Sequence, residues 1–502
     1  MADRLFEPRV ARAALVYLAV AAIVSTQLGT WTDEEYTLAT TAHGPVYAFG
    51  RALTYELQAP LYFVLEAIWR EANASIWWAR LPSILCTALS FGVFARIGRR
   101  IAPERDPLPF VLIAGLNPFV VYAGFEIRLY AFALLAAGVM WLLFDAGFVS
   151  GASTRARILL VVTSVLAIYT QYFLAFALVG FGCALLAMRR WKALGAFVAI
   201  CVPIGLAALP LAIRAHHQVG GYVTVAPPLG ALLRQAALHP WTEFIFPWDS
   251  DWDEVRGVRL AYDVVVVIGF GVIIAAMPRL RRSDLGWIAC AVSIEATYLA
   301  LLAAVRLELN SRHYVALYVP VAAATYAVAC GILRGSRPRY ALVFGLSAAL
   351  VVAGTVTRYR ALAQPGDWRR VAAYVRAEAR PGDAIVVYAA DSVAPFERQY
   401  HGDLPVVPFP VAPDTDVYSD DVLTLRSESQ AKRAFDALAG YRHLWFVDDI
   451  GCFKNDKPYG CAYVQPAIDR QFDVLRSRAF FENSVRELST LRSEGREHAT
   501  HP

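Results

Sequence analysis

The residues best suited to chemistry come early: Thr32-Asp33-Glu34-Glu35 follows an apolar stretch from about Ala13 to Leu28. Charge beside a bilayer is costly to solvate, so a cluster of acids there needs a cation, water or a function. Asp33 is the first candidate for a general base working at a membrane face. A second reading fits the same residues. Thr32 and Glu35, three apart, match a capping box, and acids at a helix start favour its dipole. That reading accounts for Glu35 and requires neither Asp33 nor Glu34.

The segment 117–135 carries Glu126 and Arg128 at the outer end of an apolar run. Taken alone, Arg128 reads as a side chain snorkelling at a helix end with Glu126 as its partner. The predicted topology puts Glu126 on the same membrane face as Asp33. Two carboxylates and an arginine at one level would orient a hydroxyl and bind an anion. Arg306, and Arg312 with His313, sit at that face further along the chain. Arginine suits phosphate because its planar fork binds two oxygens at once. Tyr55–Trp69, with Gln58 and Tyr62, reads as ordinary packing when taken alone, and Tyr169–Leu178, with Gln171, places polar and aromatic residues at the outer end of the fifth span.

Positioning these residues requires membrane-spanning elements. The 502-residue chain is 57% hydrophobic and only 18% charged, against about 25% charged in soluble domains. Its mean hydropathy is +0.44. Apolar runs of roughly 17–22 residues, long enough to cross a hydrocarbon core, fill the first 357 positions. They predict about eleven spans, near 13–30, 77–96, 109–125, 129–147, 158–171, 173–188, 193–213, 261–277, 286–304, 314–333 and 340–357. Arg4, Arg9 and Arg12 precede the first, and no small-x-small cleavage site precedes Trp31, so it reads as a retained signal anchor. Arginines recur in every loop on the amino-terminal side and are sparse opposite, which predicts a cytoplasmic amino terminus and an extracytoplasmic tail. The net charge of +5 is explained by these loops and does not indicate nucleic acid.

Two outer segments and the tail complete the layout. Segment 31–76 repeats apolar residues at helical intervals and predicts short interfacial helices. Segment 214–260 is rich in Trp, Pro and acids, as membrane–water interfaces favour Trp. The tail, 358–502, alternates helix and strand signals and predicts a small α/β domain with a mostly parallel sheet. Ser427 is its expected N-cap. Cys86, Cys183, Cys201, Cys290 and Cys330 lie in apolar runs and read as core residues. Cys452 and Cys461 would suit a disulfide if the tail is extracytoplasmic.

Taken in order, these segments resemble the GT-C superfamily of membrane glycosyltransferases. The similarity is to the bacterial branch near protein O-mannosyltransferases, lipid A aminoarabinose transferase and rhizobial lipopolysaccharide galacturonosyltransferases. Thr-Asp-Glu-Glu-Tyr-Thr stands where that family has its first-loop Asp-Glu motif. Gln-Ala-Pro-Leu-Tyr looks like its His-Pro-Pro-Leu-Tyr segment, and Arg80-Leu-Pro-Ser its Arg-Leu-Pro-Ser stretch. Glu126-Ile-Arg-Leu-Tyr, Tyr169-Thr-Gln-Tyr, Arg312-His-Tyr and the segment from Gly366 follow. The resemblance implies that Asp33 is the catalytic carboxylate and Glu34 its motif partner. It implies that Glu126 is the second acid, with Arg128 and Tyr130 shaping the site. Gln58, Tyr62 and Gln171 fall in its substrate-binding segments. Gln58 and Gln171 replace family histidines, and Gln is a poor transition-metal ligand, so no metal site that depends on them is expected.

The family implies a polyprenyl-phosphate sugar donor and a glycan, lipid or protein acceptor outside a bacterial inner membrane; no cofactor is assigned, and a divalent metal is left open, with Gln58 and Gln171 in place of the family histidines arguing against it. Arg128, Arg306, Arg312 and Arg369 are the candidates for holding the leaving phosphate. Two alternatives remain at this stage. A transporter or flippase of lipid-linked sugars would place acids in its spans, and Glu295 lies in one. A non-catalytic scaffold would use the tail to bind partners.

Overall fold

The structure is a computed structural model. It describes residues 7–222, 229–230, 233, 264, 267–269, 271–305, 309, 311–333, 335–359, 362, 366–414, 425, 427–438, 440–441, 443–449, 461–481 and 483–490. The chain divides into two compact units. One comprises Met1–Thr26 and Thr40–Arg360, the other Gln27–Ala39 and Ala361–Pro502. The short early segment Gln27–Ala39 thus groups with the tail.

The first unit is helical. Its described helices begin with α1 (Pro8–Ser25). Helix α2 (Thr32–Thr40) starts in the other unit, and α3 (Pro45–Thr54), α4 (Leu61–Arg70) and α5 (Ile76–Ile101) follow. Next come α6 (Leu108–Gly115), α7 (Pro118–Phe125), α8 (Tyr130–Phe144), α9 (Thr154–Thr170), α10 (Ala175–Ala187) and α11 (Trp191–Tyr222). The last are α12 (Arg282–Val305), α13 (Val315–Ile332) and α14 (Arg337–Tyr359). Seven helices among the described residues are long and apolar enough to cross a membrane, or eight if the bent pair α6 and α7 is one span. On α9, Ile158, Val162 and Leu166 are exposed at i, i+4 and i+8, an apolar stripe suited to lipid. The protein is a multi-pass helical membrane protein with a carboxy-terminal sheet domain.

The described residues do not confirm the exact count of about eleven spans, and local geometry separates several of the predicted runs from straight spanning helices. The run 109–125 is not one straight helix: α6 and α7 meet at 59°. Pro118 has no N–H to continue the ladder and keeps Asn117 out of helical geometry, at φ −55° and ψ 133°. The Asn117 side chain instead accepts from Phe119 N at 2.9 Å. The run 158–171 forms a helix of 17 residues, and Tyr172–Ala187 is shorter still. The run 261–277 falls largely outside the described residues, as do most of segment 214–260 and Cys452, so the disulfide expectation lies outside them too. Small residues set close approaches in the core. A Cβ at Gly124 would overlap the Tyr17 hydroxyl and lie 2.8 Å from Thr87 Oγ1.

The predicted interfacial helices of 44–72 are α3 and α4. Each opens at a proline-containing turn, Pro45 at the first helical position of α3 and Pro60 just before α4. They bury Ala48, Ala52, Tyr62, Phe63 and Ala67 in one cluster with Leu129 and Tyr130.

In the second unit, α15 (Trp368–Glu378), β1 (Ala384–Tyr388), α16 (Val393–Gln399), β2 (Val406–Phe409), α17 (Glu428–Asp436), β3 (His443–Asp449), α18 (Cys461–Gln471), β4 (Phe472–Ala479) and β5 (Asn483–Thr490) build a five-stranded sheet with helices on both faces. The strand order is β2-β1-β3-β5-β4. Strand β1 pairs parallel with β2 and β3, whereas β5 pairs antiparallel with β3 and β4. The sheet is therefore mixed, and a carboxy-terminal hairpin departs from the mostly parallel expectation. Alternate residues of the central strands feed opposite faces. Val386, Leu444 and Phe446 pack with Phe435 and Ile468, while Ile385, Val387, Trp445 and Val447 pack with Trp368, Val371 and Phe396. Ser427 caps α17 by accepting from Gln430 N. Asp383, in the Pro-Gly-Asp turn, accepts from Arg380 N at 2.9 Å and Trp445 Nε1 at 3.0 Å, tying the turn to β3.

Candidate functional site

The three early acids have separate environments. Helix α2 takes Trp31 as its N-cap, because Glu35 N donates to Trp31 O at 3.0 Å. Glu34 then stands at the third helical position, and its Oε2 accepts from Trp31 N at 3.3 Å. This is the return half of a capping box, made by Glu34 rather than by the expected Glu35. The Thr32 hydroxyl pairs with the Ser392 hydroxyl at 3.2 Å. Glu35 is instead held by Arg398: Nε donates to Oε1, and Nη2 donates to Oε2 at 2.6 Å. Glu34 and Glu35 are buried, whereas Asp33 between Thr32 and Glu34 is partly exposed. All these residues belong to the second unit. Arg369, the tail's phosphate candidate, is exposed on α15 of the same unit.

The first unit holds a second polar group. Arg128, in the turn between α7 and α8, donates from Nη1 to Glu56 Oε2 at 2.8 Å, and both side chains are buried. The partner is Glu56, in the Tyr-Glu-Leu-Gln segment, and not the neighbouring Glu126 of the snorkelling picture. Thr40 Oγ1 donates to Glu56 Oε1 at 2.8 Å, and Arg51 Nε donates to Thr40 Oγ1 at 3.2 Å. Glu126 is fully buried where α7 ends. Tyr130 opens α8. The Arg312 guanidinium lies 5.9 Å from its ring centre and the His313 ring 6.5 Å away. The His313 ring also meets Phe173 at 5.9 Å, and His313 O accepts from Tyr298 OH at 2.8 Å. Glu126, Arg128, Tyr130, Arg312 and His313 are thus linked through contact or chain adjacency. Tyr62 packs in the cluster that holds Tyr130. Gln58 is partly exposed. Gln171 is buried, and neither amide atom has a hydrogen-bond partner among the described residues. Arg306 lies outside the described residues.

Sequence reasoning missed Glu56, Arg398 and Glu66. The signal for Glu56 was present: it is an acid in an apolar outer segment, the same ground on which Asp33 stood out. Glu66, on α4, is buried, and neither of its carboxyl oxygens is hydrogen-bonded among the described residues. Helix α4 is not among the spanning helices. Burial pushes the Glu66 carboxyl up to about 8, opposed by the Arg70 charge.

Among the described residues no three His, Cys, Asp or Glu side chains are grouped to hold an ion. Gln58 and Gln171 add only amides, which are weak ligands for transition metals.

No family model and no curated protein matches the sequence. Solved structures do resemble the chain. Apo ArnT from Cupriavidus metallidurans is 14% identical over 94% of this chain and 97% of its own, with a TM-score of 0.47. An Archaeoglobus fulgidus oligosaccharyltransferase complexed with Zn and sulfate is 15% identical over 91% and 71%, at 0.47. The mycobacterial arabinofuranosyltransferase AftD is 15% identical over 96% of this chain and 40% of its own, at 0.46. These neighbours are GT-C glycosyltransferases. That is the superfamily the sequence motifs resemble.

Proposed function

We propose that this protein is a membrane glycosyltransferase. It moves a hexosyl or pentosyl group from a polyprenyl-phosphate donor to an extracytoplasmic lipid, polysaccharide or protein acceptor. Its place is a bacterial inner membrane, with the amino terminus in the cytoplasm. The observation that carries this reading is the separation of the three early acids. Glu34 bonds Trp31 N and Glu35 bonds Arg398, both buried, and Asp33, just before them in the first turn of α2, is partly exposed to solvent. A carboxylate placed so can take a proton from an incoming hydroxyl.

In this mechanism Asp33 removes the acceptor's hydroxyl proton as that oxygen attacks the anomeric carbon. The bond from the anomeric carbon to the phosphate oxygen breaks, and the phosphate leaves with the electron pair. Direct displacement inverts the anomeric configuration. General-base catalysis of this kind contributes roughly 10²–10⁴-fold. The leaving phosphate needs cations. The candidates for supplying them are Arg128, Arg306, Arg312 and Arg369. Undecaprenyl phosphate, bound in one ArnT crystal structure, is an example of the lipid part such a donor would have.

The test is purified protein mixed with radiolabelled lipid-linked sugar and an unlabelled cell-envelope extract that supplies acceptor hydroxyls. The wild type cleaves the sugar from its phosphate, and Asp33→Asn abolishes this while inserting and folding normally. Full activity in Asp33→Asn would remove the assignment. A transporter would move the donor and leave the sugar–phosphate bond intact.

A further inference from the structure

We propose that Arg398, assisted by Ser392, is a positioning residue that sets Asp33 for proton transfer; this rests on Asp33 being the base. The two anchors fall on either side of Asp33. Thr32, one residue before it, meets the Ser392 hydroxyl at 3.2 Å. Glu35, two residues after it, receives both arms of the Arg398 guanidinium. The first turn of α2 is therefore fixed at two points, with the partly exposed Asp33 between them.

The anchors themselves stand on rigid structure. Ser392 is fully buried immediately before α16, and Arg398 is near the end of that helix. Helix α16 packs on α15, β1 and β2. Its Phe396 is fully buried in the cluster that holds Trp368, Val371 and Trp445. The link joins residues 363 apart in sequence, so local chain preference does not explain it.

The charge arrangement favours positioning over simple packing. Glu35 is 5% exposed while the Arg398 side chain is 40% exposed. A buried acid would ordinarily be replaced by an apolar residue if packing were the whole need, because pairing seldom recovers the full desolvation cost. A two-armed Arg–carboxylate bond instead fixes orientation as well as distance. Displacing a reacting group by about 1 Å can cost about 100-fold in rate.

The experiment uses full-length protein in detergent. The probe is the polyprenyl-phosphate sugar fraction of source-cell membranes labelled metabolically with ¹⁴C-glucose, an unlabelled envelope extract of the same cells supplies the acceptor, and label transferred off lipid phosphate is counted. Arg398→Gln is expected to lower the maximal rate about 100-fold, leaving the apparent KM within about twofold. Arg398→Lys keeps the charge without the fork and is expected to recover about tenfold. Ser392→Ala, which keeps the ion pair, is expected to lower the rate a few-fold and serves if Arg398→Gln does not fold. A wild-type rate in folded Arg398→Gln, or in Ser392→Ala, beside an inactive Asp33→Asn would overturn the positioning role alone. An active Asp33→Asn would overturn the general-base reading and this inference together. A fall in rate matched by an equal fall in folded protein, with no rescue by lysine, would assign Arg398 a purely structural role.

Discussion

At the scale of single residues, a buried charge is defined by its partner. Arg128 and Glu56 are nearly inaccessible and 2.8 Å apart. Removing one member of such a pair leaves the other charge buried and unmatched, at a cost of about 3–5 kcal/mol. Arg128→Met should therefore lower the thermal unfolding temperature sharply, and adding Glu56→Gln should recover part of the loss. An unchanged melting curve for Arg128→Met would show that the pair is not a determinant of stability. The sequence revealed that Arg128 stood at a helix junction, but its partner was legible only in part. Glu126 is two residues away in the chain, whereas Glu56 is 72 away. Local spacing favours the near acid; the fold chose the distant one.

At the scale of elements, α4 carries a group whose titration should be visible. Its Glu66 carboxyl is raised to about 8 by burial, against a usual value of 4.5. Between those values the folded state keeps a proton that the unfolded state has lost. Stability is then complete below about pH 4.5, falls as pH rises through the window, and levels off above about 8. Glu66→Gln should flatten that slope, so the variant should gain stability over wild type at pH 8 and little at pH 4.5. Melting curves at the two pH values check this, and an equal effect at both would exclude the titration. Helices α3 and α4 were legible from their apolar period because burial on one face imposes it. The hairpin of β4 and β5 was not. Seven of the eight residues of β4 are exposed, so no run of buried apolar residues marks it as a strand. The 59° bend between α6 and α7 was visible as Asn117-Pro118, yet the continuous apolar run around it read as one span.

At the scale of the whole molecule, the distribution of arginines predicts which side each loop occupies. An alkaline phosphatase fusion, which is active only outside the cytoplasm, should be active after residue 490 and inactive in the segment 102–107 that follows α5. The reverse pattern would invert the proposed topology. Composition and hydropathy by themselves determined a helical, multi-pass membrane protein with a mixed helix–strand tail, because desolvation forces spanning segments to be long and apolar. They also marked Asp33, since an acid beside a bilayer is costly wherever it falls. The tertiary structure alone decided which acids have other duties. Glu34 caps α2, Glu35 meets Arg398, Glu56 meets Arg128, and the segment 27–39 joins the tail. Pairings across 72 and 363 residues follow from the packing of distant helices and strands, and no local spacing in the chain encodes them.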